Sequence, residues 1–244
     1  MVNIASIARC IAPSGVLRCG INLSNFLLVS NPTTCQGVAP SLATLLGQTL
    51  GVDVEMIPYA NPKLVTEAAV RDEWDVALLG AEPQRAEVIA FTQPYVEIQA
   101  SYLVRSTSAI KNVDDVDSLG GSVVVSRGSA YGLWLENNLV KAQLHLTDEP
   151  GLDLSRELYL SDDNFDALAG LRPWLLEQAE TIDGARVLDG KFTSVMQSMG
   201  TPRHRADGGS TMFLERWVTE KKADGTIEGL IREFGVQGKL SVAD

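Results

Sequence analysis

From Gly15 onward, short apolar runs alternate with stretches whose apolar residues recur at helical spacing, and that alternation restricts the fold more than any other feature. Residues 16–22 read as a strand. Residues 40–50 read as a helix, with Leu42, Leu45, Leu46 and Leu50 on one side and Gly51 past its end. Residues 52–58 return to a strand. Asn61-Pro62 then supplies a cap and a proline at the first helical position for a helix to about Arg71. Residues 75–79 form a short apolar strand bounded by Gly80. A β-α-β-α-β series of this kind predicts an α/β protein with a largely parallel sheet covered by helices.

A second series follows the polar, Gly-ended stretch 105–121. Residues 98–104, before it, read as a strand, and 91–95 (Phe-Thr-Gln-Pro-Tyr) as a turn. After it come a strand at 122–126, a helix at 130–140, a strand at 143–146 and a helix at 161–169. A strand at 186–188 and an extended return at 193–199 precede two amphipathic helices at 210–222 and 226–234. The chain shows no repeat of fixed period and no low-complexity tract.

Composition excludes several classes of function. A chain of 244 residues is long enough for two lobes with cores of their own. No apolar run approaches the ~20 residues that span a bilayer, so membrane insertion is not expected. A net charge of −11 argues against a nucleic-acid partner, whose phosphates it would repel. Cys10, Cys19 and Cys35 form neither a CxxC pair nor a zinc pattern, which fits a thiol-indifferent protein better than a disulfide-bonded one. His145 and His204 stand apart, so no metal is expected. No phosphate loop, nucleophile elbow or dinucleotide fingerprint is present, and no cofactor is expected. The first 18 residues lack a basic region followed by a long apolar core, so they do not read as an export signal.

Five stretches in one order resemble the small two-lobed solute-binding proteins of ABC importers, the class that takes amino acids and other polar solutes. They are GVLRCGINLSN (15–25), GVAPSLATLLGQTLGVDVEMIPY (37–59), WDVALLGAEPQRAEVIAFTQPY (74–95), DVDSLGGSVVVSRGSAYGLWL (115–135) and ERWVTEKKADGTIEGLIREFG (215–235). The third is the most specific, with a strand that opens on Asp-Val, an arginine ten residues on, then Phe-Thr-x-Pro-Tyr. The resemblance implies a type II periplasmic-binding-protein fold. Each lobe would be a mostly parallel sheet flanked by helices, with two hinge crossings near residues 104–105 and 199–200. The corresponding segments are 1–104 for lobe 1, 105–198 for lobe 2 and 199–244 for the return to lobe 1. It also implies closure of the lobes on a small carboxylate-bearing solute, an ABC permease as partner, a periplasmic location and a monomer, with a dimer as the alternative.

The same resemblance assigns candidate residues. Arg85 matches the arginine that holds a ligand carboxylate, a role suited to the planar fork of a guanidinium. The plain alternative is a surface pair with Glu82 or Glu87. Gly128, Ser129, Ala130 and Tyr131 match the second-lobe turn at a helix start, where Ser129 would equally serve as an ordinary N-cap. Asn22 and Asn25 follow the first strand where the family places ligand contacts, with Phe26 as an apolar wall, and turn chemistry explains the two asparagines as well. Where the amino-acid binders carry a hydroxyl residue before the arginine, this chain has Gly80 and Glu82. Where they carry a second-lobe aspartate for the ligand's ammonium, Glu177 and Gln178 lie nearest, with Arg172 just before. Arg172 is read either as a pole for a second negative group or as a solvated loop charge. Two further readings remain open. One is an enzyme resembling cyclohexadienyl dehydratase, with Glu82 or Glu177 as general acid. The other is a cytoplasmic or sensory binding module without a transporter.

Overall fold

A computed structural model describes residues 4–244; the first three residues of the N-terminal stretch lie outside it. The chain divides into two compact units. Among the described residues, 4–97 with 196–244 form the first, and 98–195 the second. The division therefore falls seven residues before the expected first crossing and four before the second. The cause is that both crossings are strands rather than loops: β4 (Ile89–Arg105) and β9 (Thr193–Pro202) each continue from one unit into the other.

The first unit opens with α1 (Ile4–Ile11), β1 (Val16–Asn22), α2 (Val38–Leu50), β2 (Asp53–Tyr59), α3 (Pro62–Val70), β3 (Val76–Gly80), the single turn α4 (Pro83–Ala86) and the first part of β4. β1 pairs in parallel with β2 over seven residues, Val16 opposite Asp53 through Asn22 opposite Tyr59, and with β3 on its other side. Asn61 caps α3, its side chain accepting from Leu64 N at 3.1 Å, with Pro62 at the first helical position. Between α3 and the sheet, Trp74 is fully buried among Val65, Ala68, Ala69, Ala77, Leu79 and Ile89, and its indole donates to Val65 O. Removing roughly 200 Å² of aromatic surface from water contributes about 5 kcal/mol as an upper bound.

Residues 91–95 are strand, not turn, because they lie inside β4. Proline fixes an angle compatible with extended backbone and is tolerated in a strand where no ladder bond is needed from its nitrogen. Beside Pro94, the Gln93 amide donates to the side chain of Glu215 at 2.9 Å instead of to a neighbouring strand.

The second unit holds the rest of β4, then α5 (Val113–Ser118), β5 (Ser122–Val125), α6 (Ala130–Asn138), β6 (Gln143–Leu146), α7 (Leu152–Ser161), β7 (Ala167–Leu171), α8 (Arg172–Thr181), β8 (Ala185–Val187) and the start of β9. Its strand order is β4-β7-β5-β6, with β8 on the other side of β4. β5 runs parallel to β6 and β7, and β4 antiparallel to β7 and β8. The expected helix at 161–169 is corrected here. The helix ends at Ser161, and the run Ala-Leu-Ala-Gly-Leu is β7, buried at all five positions. A strand covered on both faces has no alternation to betray it.

The return to the first unit is completed by a 3-10 turn at Arg203–Arg205, α9 (Gly208–Ala223), α10 (Thr226–Glu233) and β10 (Ser241–Val242). β9 lies between β3 and β4, antiparallel to β3 with Gly80 opposite Gln197, and β10 pairs with β4.

Candidate functional site

In a parallel sheet every strand ends on the same side, and the loops that follow collect at that edge, the usual place for ligands in open α/β sheets. In the first unit Asn22, Tyr59 and Gly80 end the three parallel strands, and all the first-unit candidates follow from them.

Gly80 begins the decisive turn. Ala81 N donates to Met196 O on β9, and Glu82 then takes the N-cap position of α4 with Pro83 at the first helical position. The Glu82 side chain does not cap the turn. Its Oε2 instead accepts from Arg85 Nη1 at 2.6 Å, and the same nitrogen donates to Gly80 O at 3.0 Å. The pair is not the exposed salt bridge expected of neighbouring charges: the side chains are 5% and 11% exposed for Arg85 and Glu82. Burial pushes the Glu82 carboxyl above its usual range, with Arg85 opposing. Burial pulls the Arg85 guanidinium down, with Glu82 opposing.

Gly80 makes room for this arrangement. A β-carbon there would stand 2.8 Å from both Glu82 carboxylate oxygens and 3.0 Å from Arg85 Nη1. The carboxylate therefore lies directly over the glycine.

The loop after β1 carries the asparagines. Asn22 Oδ1 accepts from Ser24 N at 3.1 Å and Ser24 Oγ at 2.8 Å, an Asx turn that commits its oxygen to the chain. Asn25 is buried; its main-chain oxygen accepts from Leu28 N and Val29 N, whereas its side-chain Oδ1 is buried without a hydrogen-bond partner. Gln84 Oε1, on α4 beside Arg85, is in the same condition. Buried polar atoms without partners are uncommon in folded proteins and call for an explanation. The sequence reading included Asn25 and missed Gln84, whose one available signal was its place next to Arg85. Phe26 is half-buried.

In the second unit, β5 gives way to a turn in which Gly128 takes φ +67, a left-handed conformation that suits glycine. Ser129 caps α6. Its Oγ accepts from Gly132 N at 3.1 Å and donates to Ser126 O at 2.8 Å, so the hydroxyl is engaged on both sides. Ala130 is half-buried at the first helical position. Tyr131 is buried, which pushes its phenol up to about 12. Arg172 opens α8, yet its Nη1 donates to Leu188 O at 2.5 Å and Gly190 O at 3.1 Å, with Asp189 at 3.8 Å. It straps the loop after β8. Glu177 is exposed and Gln178 half-buried on the same helix. No helix among the described residues is long and apolar enough to cross a membrane.

The family model for bacterial extracellular solute-binding proteins, family 3, matches residues 17–237. No curated protein matches by sequence. Among solved structures, the chain resembles a putative binding component of an ABC transporter from Wolinella succinogenes complexed with lysine. The TM-score is 0.73 at 18% identity, covering 92% of this chain and 97% of the other. It also resembles an amino-acid ABC transporter substrate-binding protein from Streptococcus pneumoniae bound to L-arginine, with TM-score 0.70 at 17% identity over 93% and 98% of the chains. A third is an ancestral amino acid-binding protein, a precursor of cyclohexadienyl dehydratase, with TM-score 0.71 at 21% identity over 94% and 99%.

Proposed function

We propose, from the premise that this chain belongs to family 3 of the bacterial extracellular solute-binding proteins, that it binds a small carboxylate-bearing polar solute for ABC-type uptake. The observation that carries the reading is Arg85: a guanidinium 5% exposed, at the C-terminal edge of a parallel sheet, facing the turn after β3. A cation kept at such depth, where desolvation is expensive, suits recognition of a buried anion better than surface solubility. Asn25 and Gln84 are the proposed polar contacts around it, and Phe26 an apolar one. Asn22 acts through its turn. Arg172, committed to main-chain oxygens, is left out of the ligand set.

Lysine and arginine, bound by the two transporter relatives, are the first solutes to try. An ABC permease as partner and a location outside the cytoplasm are part of the proposal, supported by the family match. The test is a thermal-shift screen over amino acids, dicarboxylates and amines, repeated with Arg85→Ala. A solute at a hundred times its Kd adds about 2.7 kcal/mol to the wild type, and Arg85→Ala should abolish that gain. Because Arg85→Ala strands Glu82, the double variant with Glu82→Gln serves as the folding control. Ligand-induced shifts unchanged in both variants would remove Arg85 from the site.

One observation favours a second reading. Burial holds the Glu82 carboxyl above its usual range, as a general acid requires, and an ancestral relative is a precursor of cyclohexadienyl dehydratase. Incubation with prephenate and arogenate, followed by ultraviolet spectroscopy, decides it: turnover lost in Glu82→Gln would establish the enzyme.

A further inference from the structure

We infer that Gln197, on the strand that returns to the first unit, is a second donor to the solute's carboxylate, completing a grip that Arg85 begins. The inference rests on the reading of Arg85 as the carboxylate-holding residue. It goes beyond it by adding a residue from a distant part of the chain that no motif marks.

A carboxylate has two oxygens to satisfy, and the turn after β3 has few donors left for them. Arg85 Nη1 is already shared between Glu82 Oε2 and Gly80 O. Ala81 N donates to Met196 O at 2.9 Å, and Arg85 N and Ala86 N both donate to Glu82 O at 3.0 Å. Pro83 has no N–H, and residues 80–86 include no hydroxyl side chain. The unpartnered atoms of Asn25 and Gln84 are oxygens, acceptors suited to donor groups of the solute rather than to its carboxylate.

Gln197 supplies what the turn lacks. On β9 it stands directly opposite Gly80 in the antiparallel pair, with Ser198 opposite Leu79. Residues opposite each other in such a pair project from the same face of the sheet, with β-carbons about 5 Å apart. Gly80 fixes which face this is. A β-carbon there would stand 2.8 Å from the Glu82 carboxylate oxygens and 3.0 Å from Arg85 Nη1. Gln197 therefore projects on the side of the ion pair, and Ser198 on the other.

The side chain is also uncommitted. Gln197 is 4% exposed, yet no protein group hydrogen-bonds its amide among the described residues. Taking an amide out of water without a partner is costly, and a buried one calls for an explanation. Unlike Asn25 Oδ1 and Gln84 Oε1, the amide is not sealed in, so a solute at the sheet edge can reach it. Its NH2 group adds a donor beside Arg85 without a charge, and so leaves the balance of the Glu82–Arg85 pair undisturbed.

The experiment uses the intact protein and isothermal titration calorimetry. The probes are L-lysine, L-arginine, L-glutamine and glutarate, with L-lysinamide and L-argininamide as carboxamide counterparts. The wild type should bind one or more of the carboxylates. Gln197→Leu, close in size but without a donor, should weaken that binding about ten- to a hundredfold, the scale of a hydrogen bond to a charged group. Gln197→Glu should abolish it, since a second carboxylate repels the solute's own, and should shift preference toward the carboxamides. Ser198→Ala, on the same strand and the opposite face, should bind as the wild type does. Thermal midpoints without solute verify folding; should Gln197→Leu not fold, Gln197→Asn, which draws the amide back by one carbon, carries the same expectation. Wild-type affinity in both Gln197 variants, with binding lost in Arg85→Ala, overturns the inference and leaves the reading of Arg85 standing. An equal loss in Ser198→Ala and Gln197→Leu also overturns it, because the strand and not the amide is then what matters. Binding that ignores Arg85→Ala as well, or no binding of any probe, overturns the two together.

Discussion

Arg205 and Asp75 lie 130 residues apart in the chain, and Arg205 Nη1 donates to Asp75 Oδ1 at 2.8 Å. Asp75 is completely buried and also accepts from Arg18 N, Nε and Nη2. The contact ties the segment after β9 to the start of β3, two pieces of one unit that are encoded at opposite ends of the sequence. Removing the carboxylate leaves two guanidinium groups without their shared partner. Asp75→Ala should therefore lose about 3–5 kcal/mol, and Arg205→Ala, with Arg18 still in place, clearly less. Urea unfolding of the two variants checks the order.

Gly80→Ala separates binding from stability. The atoms that an added β-carbon meets are the ends of two long side chains, Glu82 and Arg85, not backbone. The fold can yield, at a cost of about 1–2 kcal/mol, but the ion pair cannot keep its place. Ligand-induced thermal shifts should disappear while unfolding remains cooperative. A variant that binds as the wild type does would show the carboxylate position to be irrelevant to recognition.

Gly37→Ala is expected to do the opposite. Gly37 has φ +145, and a β-carbon there would lie 2.3 Å from Leu28 O and 2.8 Å from Val29 Cα. That collision is with backbone, at the point where the loop bearing Asn25 closes onto α2. Nothing flexible can give way, so the cost should exceed about 3 kcal/mol, read as a lowered unfolding midpoint or loss of soluble protein.

The cap of α9 should make stability depend on acid. Asp207 Oδ1 accepts from Gly209 N at 2.8 Å and Ser210 N at 2.6 Å, and the bond from Ser210 is the largest influence holding its pKa below the usual range. A depressed carboxylate stabilises above its unfolded value, about 3.9. That contribution is lost as the pH falls through the folded value. Asp207→Asn can still cap the helix but should flatten this acid arm. Asp207→Ala should cost about 1 kcal/mol at neutral pH. Denaturation between pH 2 and 7 distinguishes the two.

Ser129→Ala tests whether the hydroxyl matters for more than its helix. Both of its hydrogen bonds are internal to the turn, to Gly132 N and Ser126 O. Loss of about 1 kcal/mol of stability, with affinity reduced only through a loosened turn, is the expected outcome of calorimetry and unfolding.

Legibility in the sequence followed burial. The strand at 16–22 and the cap at Asn61 were readable, since their signals are a local apolar run and local chemistry. β7 was not, because a strand covered on both faces looks like any apolar run. Residues 91–95 misled through Pro94, a residue that punctuates most loops but sits here where its nitrogen need not donate. For the candidate site, the order of motifs singled out Arg85. What it could not give was which of Glu82 and Glu87 is the partner, or that the pair is buried. Glu82 stands three residues away, a spacing that on an exposed helix means little. Only the depth of the turn after β3 turns that neighbour into an occupant. The open acceptors of Asn25 and Gln84 are likewise properties of packing and leave no trace in residue order.

The uneven division of the chain also fixes an order of assembly. The second unit is one uninterrupted segment, 98–195, whereas the first needs residues from 196 onward. During synthesis the second unit is complete while β3 still lacks its neighbour β9, and Asp75 still lacks Arg205. For that interval β3 presents an open, wholly apolar strand edge, the kind of surface that invites wrong pairing. A nascent chain of this protein therefore passes through a period in which its later half is finished and its earlier half must be kept from closing on something else.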